Sequence, residues 1–217
     1  PEPLKPLASR NEQSLRSAVA AAEGLSLDGW SAQRWAEFTR VAAASEFVLE
    51  QSVRDPAMLL GLVDSGELDR PYAPGELCAQ LAAAAQAAST EDELGRNLRR
   101  QRTRHQVRII WRDLTRQADL IQTCRDLSDM ADGAIDQAYQ WLYPRLCQQF
   151  GTPTGHRSGQ PQQMVVLGMG KLGAVELNLS SDIDLIFAYP EGGETEGVKR
   201  SLDNQEFFTR LGQRSVS

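Results

Sequence analysis

The sequence has few of the residues that build disulfide frameworks, zinc sites or membrane spans. Its three cysteines, Cys78, Cys124 and Cys147, lie far apart and form no Cys-x-x-Cys pair, which argues against a zinc site and a disulfide scaffold. No apolar run approaches the ~20 residues of a transmembrane helix, and Pro1 to Pro6 lack the apolar region of a signal peptide. We therefore predict free thiols, no membrane partner and a cytoplasmic location.

Positive charge is also scarce. The 217 residues include 23 Lys and Arg against 29 Asp and Glu, giving a net charge of -6 and a pI of about 5.1. Nucleic-acid-binding domains usually have more Lys and Arg than Asp and Glu, so we predict no nucleic-acid partner. The length and the 41% hydrophobic content are those of one or two globular domains with a sizeable core.

The arginines are concentrated in one segment, residues 96–112, which contains seven of them. Arg104, Arg108 and Arg112 are spaced by four residues and should share one face of a helix. One interpretation is contact with an acidic partner or with phosphates. The other, which we favour, is a solvated helix face paired with nearby acidic residues.

The first two thirds of the chain are predicted to be helical. Apolar residues from Ser31 to Val53 recur at helical spacing, Asp55-Pro56 opens another helix, and Thr90 to Glu93 has the form of a capping box. Further helices are predicted over 74–88, from 90 to beyond 114, and over 128–149. Residues 151–163, rich in Gly, Pro, Ser, Thr and Gln, predict a linker or exposed loop. We therefore divide the chain into a helical region, 1–160, and a second region, 161–217.

The pattern of the second region is α/β. Met164 to Leu167 is a short apolar run bounded by polar residues and glycine, as expected of a buried strand. Asp182 to Tyr189 is a second predicted strand, and Leu202 to Gln213 is a predicted helix. Together with the helical first region, this pattern predicts an α+β fold.

Two carboxylates begin the second predicted strand. Residues two apart on a strand point to the same face, so Asp182 and Asp184 are expected to project together, about 6.6 Å apart, with Ile183 and Leu185 facing a core. Mg²⁺ prefers oxygen ligands and usually keeps waters and substrate phosphates in its shell. The sequence therefore predicts a Mg²⁺ site on Asp182 and Asp184.

A glycine-rich turn follows the first predicted strand. Gly168 and Gly170 permit close approach of a phosphate to the backbone, the helix start that follows offers free N–H groups, and Lys171 adds a point positive charge. With the acid pair, this turn meets the needs of phosphoryl or nucleotidyl transfer, which are positioning and charge neutralisation.

Two other glycine motifs fit less well. Gly168, Gly170 and Gly173 match G-x-G-x-x-G, but the acidic pair arrives much sooner than the ~20 residues typical of a dinucleotide-binding fold. The Walker A motif requires Ser or Thr after its lysine, whereas Leu172 follows Lys171. We therefore favour a nucleotidyltransferase.

Residues 167–187, LGMGKLGAVELNLSSDIDLIF, resemble the signature of the glutamine synthetase adenylyltransferase family, which belongs to the polymerase-β-like nucleotidyltransferase superfamily. Segments 98–111 and 203–210 also resemble family sequence. The resemblance implies a largely helical N-terminal region packed on a polymerase-β-like α/β core. It also implies catalytic and metal-binding roles for Asp182 and Asp184, and nucleotide or phosphate contacts from Gly168, Gly170, Lys171 and Ser181.

Members of this family are about four times longer and carry two nucleotidyltransferase domains. One removes AMP from a tyrosine of glutamine synthetase by phosphorolysis, releasing ADP, and the other attaches AMP from ATP. Residues 176–182 resemble the N-terminal, AMP-removing copy. The resemblance thus implies a Mg²⁺-dependent adenylyl-removing enzyme of nitrogen metabolism, with adenylylated glutamine synthetase, a PII signalling protein, ATP or ADP, and phosphate as partners. Adenylyl transfer from ATP stays open as an alternative.

The superfamily uses a third carboxylate, which this family carries in an Arg-x-Asp-x-Arg-Leu-Arg-Pro segment. The present sequence lacks that segment, and Asp203, on a predicted helix, is a poor substitute. A catalytically incomplete regulatory or docking fragment is therefore a second alternative.

Overall fold

The computed structural model describes residues 5–215, with the backbone alone for residues 5 and 6. A short 3-10 helix, Glu67–Asp69, lies between α4 and α5. The helices are α1 Lys5–Ala21, α2 Ala32–Ala44, α3 Glu46–Arg54, α4 Pro56–Asp64, α5 Glu76–Gln86, α6 Glu91–Leu114, α7 Leu120–Phe150, α8 Gly170–Gly173 and α9 Asn204–Ser215, and the strands are β1 Thr152–Gly155, β2 Val165–Gly168, β3 Leu185–Ala188 and β4 Gly193–Glu196. The predicted α+β class is confirmed.

Polar side chains cap the helices at three of the predicted starts. Ser31 Oγ accepts a hydrogen bond from the third residue of α2, at 3.1 Å. Asp55 does the same for α4, at 3.0 Å, and Thr90 for α6, at 3.2 Å. Each bond satisfies a backbone N–H that has no partner inside its helix, so these boundaries are local properties of the sequence.

The helix predicted from Ser31 to Val53 is in fact two helices that meet at Ser45. The backbone of Ser45 is extended (φ −137°, ψ 104°), and its hydroxyl accepts from the Val48 N–H at 3.3 Å. A serine hydroxyl competes with the helical backbone for such bonds, which favours a cap over a helix interior. The predicted buried face survives the break, because Phe38 and Val41 are fully buried.

The chain forms two compact units, Pro1–Gly75 with Arg102–Leu127, and Glu76–Gln101 with Ser128–Ser217. Helices α6 and α7 therefore contribute residues to both units. The division predicted near residue 160 follows the change from helical to α/β sequence and stays a prediction. Within residues 5–215, no helix is long and apolar enough to cross a membrane.

The first unit has a helical core. Side chains from α1 to α4, the 3-10 helix and the second half of α6 pack together in it. Its aromatic members include Phe38 and Trp111, whose ring centroids are 6.4 Å apart. Fully buried members are Leu15, Phe38, Val41, Val48, Leu59, Leu62, Leu68, Val107 and Trp111.

The arginine face of α6 belongs to this unit and is buried rather than solvated. Arg108 is 0% exposed and Arg112 is 3% exposed. Arg108 donates from Nε to the Glu67 carbonyl at 2.8 Å, and its guanidinium lies 3.4 Å from the centre of the Tyr72 ring. Arg104 forms a two-point pair with the Glu67 carboxylate, both distances 2.8 Å.

The shared face is confirmed. The solvated interpretation is wrong for Arg108 and Arg112, which are buried because they donate to backbone carbonyl oxygens of the 3-10 helix. It holds for the exposed Arg96, Arg99, Arg100 and Arg102, and Arg104 pairs with an acidic residue as predicted.

The second unit contains two antiparallel two-stranded sheets, β1 with β4 and β2 with β3. Strand β2 pairs with β3 in the register Val165↔Ala188 to Gly168↔Leu185. The hydrophobic core of this unit is formed by α7 and α9, with parts of α5 and α6. Its most buried side chains are Leu142, Leu146, Phe207, Phe208 and Leu211.

The segment predicted as a linker, residues 151–163, contains strand β1. Thr152 pairs with Glu196, and Gly155 pairs with Gly193. The buried side chain of Asn204 donates to the Thr154 carbonyl at 3.1 Å. The prediction of an exposed loop is wrong here, because a Gly- and Pro-rich strand has the composition of a loop and its partner β4 lies about forty residues further along the chain.

Candidate active site

The glycine-rich turn follows β2 directly. Met169 has extended backbone (φ −102°, ψ 169°) and precedes the short helix α8. Gly170 has a φ of +54°, which side chains with a Cβ rarely adopt. A Cβ on Gly173 would lie 2.4 Å from the backbone oxygen of Gly168, so the turn closes this tightly only with glycine at position 173.

Asp182 and Asp184 lie in the loop before β3 rather than on the strand. The strand begins at Leu185, so the prediction that one strand carries both aspartates is wrong. Ile183, predicted to face the core, is 41% exposed. Both aspartates are exposed, and within residues 5–215 neither carboxylate makes a hydrogen bond or an ion pair. They are therefore available to a ligand.

A backbone hydrogen bond brings the acid pair to the glycine turn. The Met169 N–H donates to the Asp184 carbonyl at 2.9 Å, one residue beyond the paired Gly168 and Leu185 of the β2–β3 ladder. Two predicted site segments, separated by more than ten residues of sequence, thus become neighbours. The antiparallel pairing of β2 and β3 is the cause.

A second contact connects Lys171 to the loop. Lys171 Nζ donates to Ser181 Oγ at 3.3 Å, and Ser181 Oγ donates to Asn178 Oδ1 at 2.6 Å. The predicted site residues Lys171 and Ser181 are therefore adjacent. Asn178 is not among the predicted site residues, although an Asn with serines two and three residues later in a loop is a sequence signal for a side-chain-stabilised turn.

Two residues beyond the end of helix α8, the backbone adopts a left-handed conformation. Val175 has a φ of +58°, its N–H donates to the Leu172 carbonyl at 3.0 Å, and the Glu176 N–H donates to the Lys171 carbonyl at 2.7 Å. This pair of bonds is the Schellman C-cap, in which glycine is the usual residue at the position of Val175. Sequence reasoning missed Val175 because valine gives no signal for such a conformation.

The oxygen ligands of the acid pair fit a magnesium ion. Asp182 and Asp184 would supply two carboxylates, and Mg²⁺ commonly binds one or two carboxylates with waters and substrate phosphates. Within residues 5–215, no group of three or more His, Cys, Asp or Glu could hold a metal ion by itself. Asp203 does not complete such a group; its Oδ1 accepts from the Gln205 N–H at 2.7 Å, at the start of α9.

The order of elements is that of a nucleotidyltransferase-like domain: a strand, a glycine turn, a short helix, and a second strand preceded by two aspartates. The family model described as glutamate-ammonia ligase adenylyltransferase matches residues 35–217. The chain therefore belongs to the glutamate-ammonia ligase adenylyltransferase family.

Curated relatives carry the name bifunctional glutamine synthetase adenylyltransferase/adenylyl-removing enzyme. The chain is 71% identical over 216 residues to the protein of Pseudomonas putida, 66% identical to that of Pseudomonas aeruginosa, and 47% identical to that of Thioalkalivibrio sulfidiphilus. Each match covers 100% of this chain and 22% of the relative. The chain thus spans about a fifth of the length of these relatives, in their N-terminal part.

Proposed function

We propose that this chain carries the catalytic motif of the adenylyl-removing reaction, the Mg²⁺-dependent phosphorolysis of an adenylyl-tyrosine on glutamine synthetase. The observation that carries the proposal is the Met169–Asp184 backbone bond, because it holds the phosphate-binding turn against the acid pair. The printed names of the relatives include both adenylyl transfer and adenylyl removal. The resemblance of residues 176–182 to the N-terminal copy favours removal.

In the proposed reaction, an oxygen of inorganic phosphate forms a bond to the α-phosphorus of the adenylyl group. The bond from that phosphorus to the tyrosine oxygen breaks, and the phenolic oxygen takes the proton of the attacking phosphate, which gives ADP and unmodified tyrosine. Asp182 and Asp184 would hold Mg²⁺, which would supply positive charge to neutralise the phosphoryl oxygens. Gly168 and Gly170 allow the phosphates close to the backbone. Lys171, held by Ser181, supplies positive charge.

The decisive experiment measures ADP release from adenylylated glutamine synthetase with phosphate and Mg²⁺, by a protein of the relatives' full length that includes this chain. Replacing both aspartates, Asp182→Asn with Asp184→Asn, should reduce the rate at least about 100-fold, because the metal ligands lose their charge. Lys171→Met should raise the KM for phosphate about 10-fold. The matched control is Lys199→Met, since Lys199 is also exposed and lies outside the motif.

The opposite half-reaction is the main competing outcome. If the protein releases no ADP and instead transfers AMP from ATP, with transfer lost in the double aspartate variant, the adenylyl-removing assignment is wrong and the nucleotidyltransferase class stands. If the double variant is as active as the unchanged protein in both assays, the acid pair is not the metal site. The 217-residue chain assayed alone shows whether it is a catalytically incomplete fragment.

We also propose the cellular setting that the resemblance implies. The enzyme would act in the cytoplasm on adenylylated glutamine synthetase, with ATP or ADP and inorganic phosphate as small-molecule partners and with a PII signalling protein as regulator. Adding purified PII protein to the ADP-release assay tests the last point. A rate that stays constant across PII concentrations would contradict it.

A further inference from the structure

The loop between α8 and β3 is anchored at one point to helix α7. The Leu177 N–H donates to Ser128 Oγ at 3.2 Å, and both side chains are buried, Leu177 at 4% and Ser128 at 0% exposure. Ser128 lies on α7, a helix of 31 residues, within the same compact unit as the loop. The next residue of the loop, Asn178, therefore follows a fixed point, although its own side chain is exposed.

The side-chain oxygen of Asn178 accepts hydrogen bonds from the two serines that follow in the loop. Ser181 Oγ donates to it at 2.6 Å, the Ser180 N–H at 3.3 Å and Ser180 Oγ at 3.4 Å. A backbone N–H can only donate, so the Asn178 atom that faces Ser180 must be the amide oxygen and not the amide nitrogen. This assignment also fixes the direction of the Ser181 hydroxyl, whose single proton points to Asn178.

The direction of that hydroxyl decides how Ser181 meets Lys171. A serine hydroxyl has one proton and two lone pairs, and a lysine ammonium group donates only. With its proton on Asn178, Ser181 Oγ presents a lone pair to Lys171 Nζ, 3.3 Å away. The backbone of Lys171 is also held, because its carbonyl accepts from the Glu176 N–H at 2.7 Å. The three side chains thus form a one-way hydrogen-bond chain from Lys171 through Ser181 to Asn178.

We propose that Asn178 is a positioning residue for Lys171, an inference that rests on the proposed function. Lysine carries its charge on a flexible four-carbon stem with large rotamer entropy. Ordering that stem before phosphate arrives lowers the entropy cost of binding. Asn178 acts on Lys171 through the Ser181 hydroxyl that it orients. Because Ser181 directly precedes Asp182, the same contact brings the ammonium group to the start of the acid pair.

The catalytic test measures how ADP release by the full-length protein depends on phosphate concentration. Asn178→Ala should raise the KM for phosphate about 2- to 10-fold, the cost of ordering one long side chain, and should change kcat less than about 2-fold. Gln163→Ala is the matched control and should leave the KM unchanged, because Gln163 is an exposed amide side chain before β2 and outside the motif.

A double-variant comparison separates positioning from a general structural effect. In the Lys171→Met background, Asn178→Ala should raise the KM for phosphate no further, because its effect passes through the lysine ammonium group that is already missing. A residue that only stabilised the loop would raise the KM by the same factor in both backgrounds.

A second readout is independent of catalysis. The 217-residue chain has three lysines, Lys5, Lys171 and Lys199, so ¹⁵N-lysine labelling gives a small set of ammonium signals. We expect ¹⁵N relaxation to show a more ordered ammonium group for Lys171 than for Lys199, which is also exposed. Asn178→Ala should reduce the order of Lys171 to the level of Lys199. Ser181→Thr, which keeps the hydroxyl, should preserve it.

The two readouts distinguish this proposal from the proposed function. If Asn178→Ala lowers the order of Lys171 but the full-length protein releases no ADP, the positioning role stands and the adenylyl-removing function fails. If ADP is released and Asn178→Ala leaves the KM for phosphate unchanged, the function stands and the positioning role is overturned. The positioning role is also overturned if Asn178→Ala leaves the order of Lys171 unchanged, or if it raises the KM equally in both backgrounds.

Discussion

At the scale of single residues, the turn between β2 and α8 depends on the absence of a side chain at position 173. The missing Cβ of Gly173 would lie 2.4 Å from the Gly168 carbonyl oxygen, which is a backbone atom. A backbone atom moves only with its strand, and β2 is fixed by its pairing with β3. The turn geometry of the site is therefore sensitive to one methyl group.

Gly173→Ala should lower the free energy of unfolding by about 1–3 kcal/mol, the usual cost of overpacking. The control is Gly61→Ala, because Gly61 lies within α4 and a Cβ there has nothing within 4 Å. That control should gain about 0.5–1 kcal/mol from lower unfolded-state entropy. Urea denaturation of both variants measures the difference. Equal free energies of unfolding for the two variants would contradict this prediction, because they would show that the turn accommodates a Cβ at position 173 without loss of stability.

The left-handed conformation of Val175 gives a prediction of the opposite sign. Val175→Gly should raise the free energy of unfolding by about 0.5–1 kcal/mol, because glycine adopts a φ of +58° without the clash of a branched side chain. Arg116, at φ +60° after α6, offers a matched position in the first unit, and Arg116→Gly should change stability in the same direction. Thermal and urea unfolding measure both. A loss of stability in Val175→Gly alone would contradict the strain assignment.

At the scale of secondary-structure elements, α6 fixes the 3-10 helix through the Arg104–Glu67 pair. Glu67 is 7% exposed. Burial raises the pKa of its carboxyl, but the hydrogen bonds from Arg104 and Ser65 and the charges of Arg104 and Arg108 outweigh that effect, so the pKa lies below its ordinary value of 4.5. The carboxylate therefore contributes stability above pH 4.5, and that contribution is lost as the pH falls through the folded-state pKa.

Glu67→Gln removes this titration and leaves the arginines without their charge partner. We expect the variant to be about 1–3 kcal/mol less stable at pH 7, and this difference from the unchanged chain should shrink as the pH falls below 4.5 and through the folded-state pKa of Glu67. Denaturant unfolding between pH 3 and 7 measures the difference. Glu206→Gln is the control, because Glu206 is exposed and pairs with Arg210 of the same helix, α9. A stability difference that does not change with pH would contradict the assignment.

Strands are harder to predict from sequence than helices here, because helix caps are local and strand partners are distant along the chain. The caps at Ser31, Asp55 and Thr90 are visible in sequence because each bond spans three residues. Strand β1 is stabilised by β4, a partner far away in sequence, and its composition is that of a loop. Period-two alternation places the aspartate pair on β3, because alternation along the sequence cannot show where pairing with β2 begins.

At the scale of the whole molecule, the charge distribution disfavours nucleic acid. The net charge is -6, and in the described chain the arginine-rich segment has Arg108 and Arg112 buried and Arg104 paired. We expect the chain to bind double-stranded DNA more weakly than a Kd of about 10⁻⁴ M at physiological salt. Fluorescence anisotropy with a labelled duplex measures this. A strong signal that falls steeply with added salt would contradict the prediction, since it would reveal phosphate contacts.

The sequence by itself determined the helical segments, the glycine turn, the acid pair and the family, because caps, periodicity and the motif of residues 167–187 are local. Only the tertiary structure decided which positive charges are buried, which loop-like segment is a strand, and how the turn meets Asp184. These features depend on contacts between distant residues, such as Arg108 with Glu67 and Met169 with Asp184. The free energies of these contacts depend on which polar groups lose water and gain a hydrogen-bond partner in the folded chain. Residue spacing along the sequence does not encode that information.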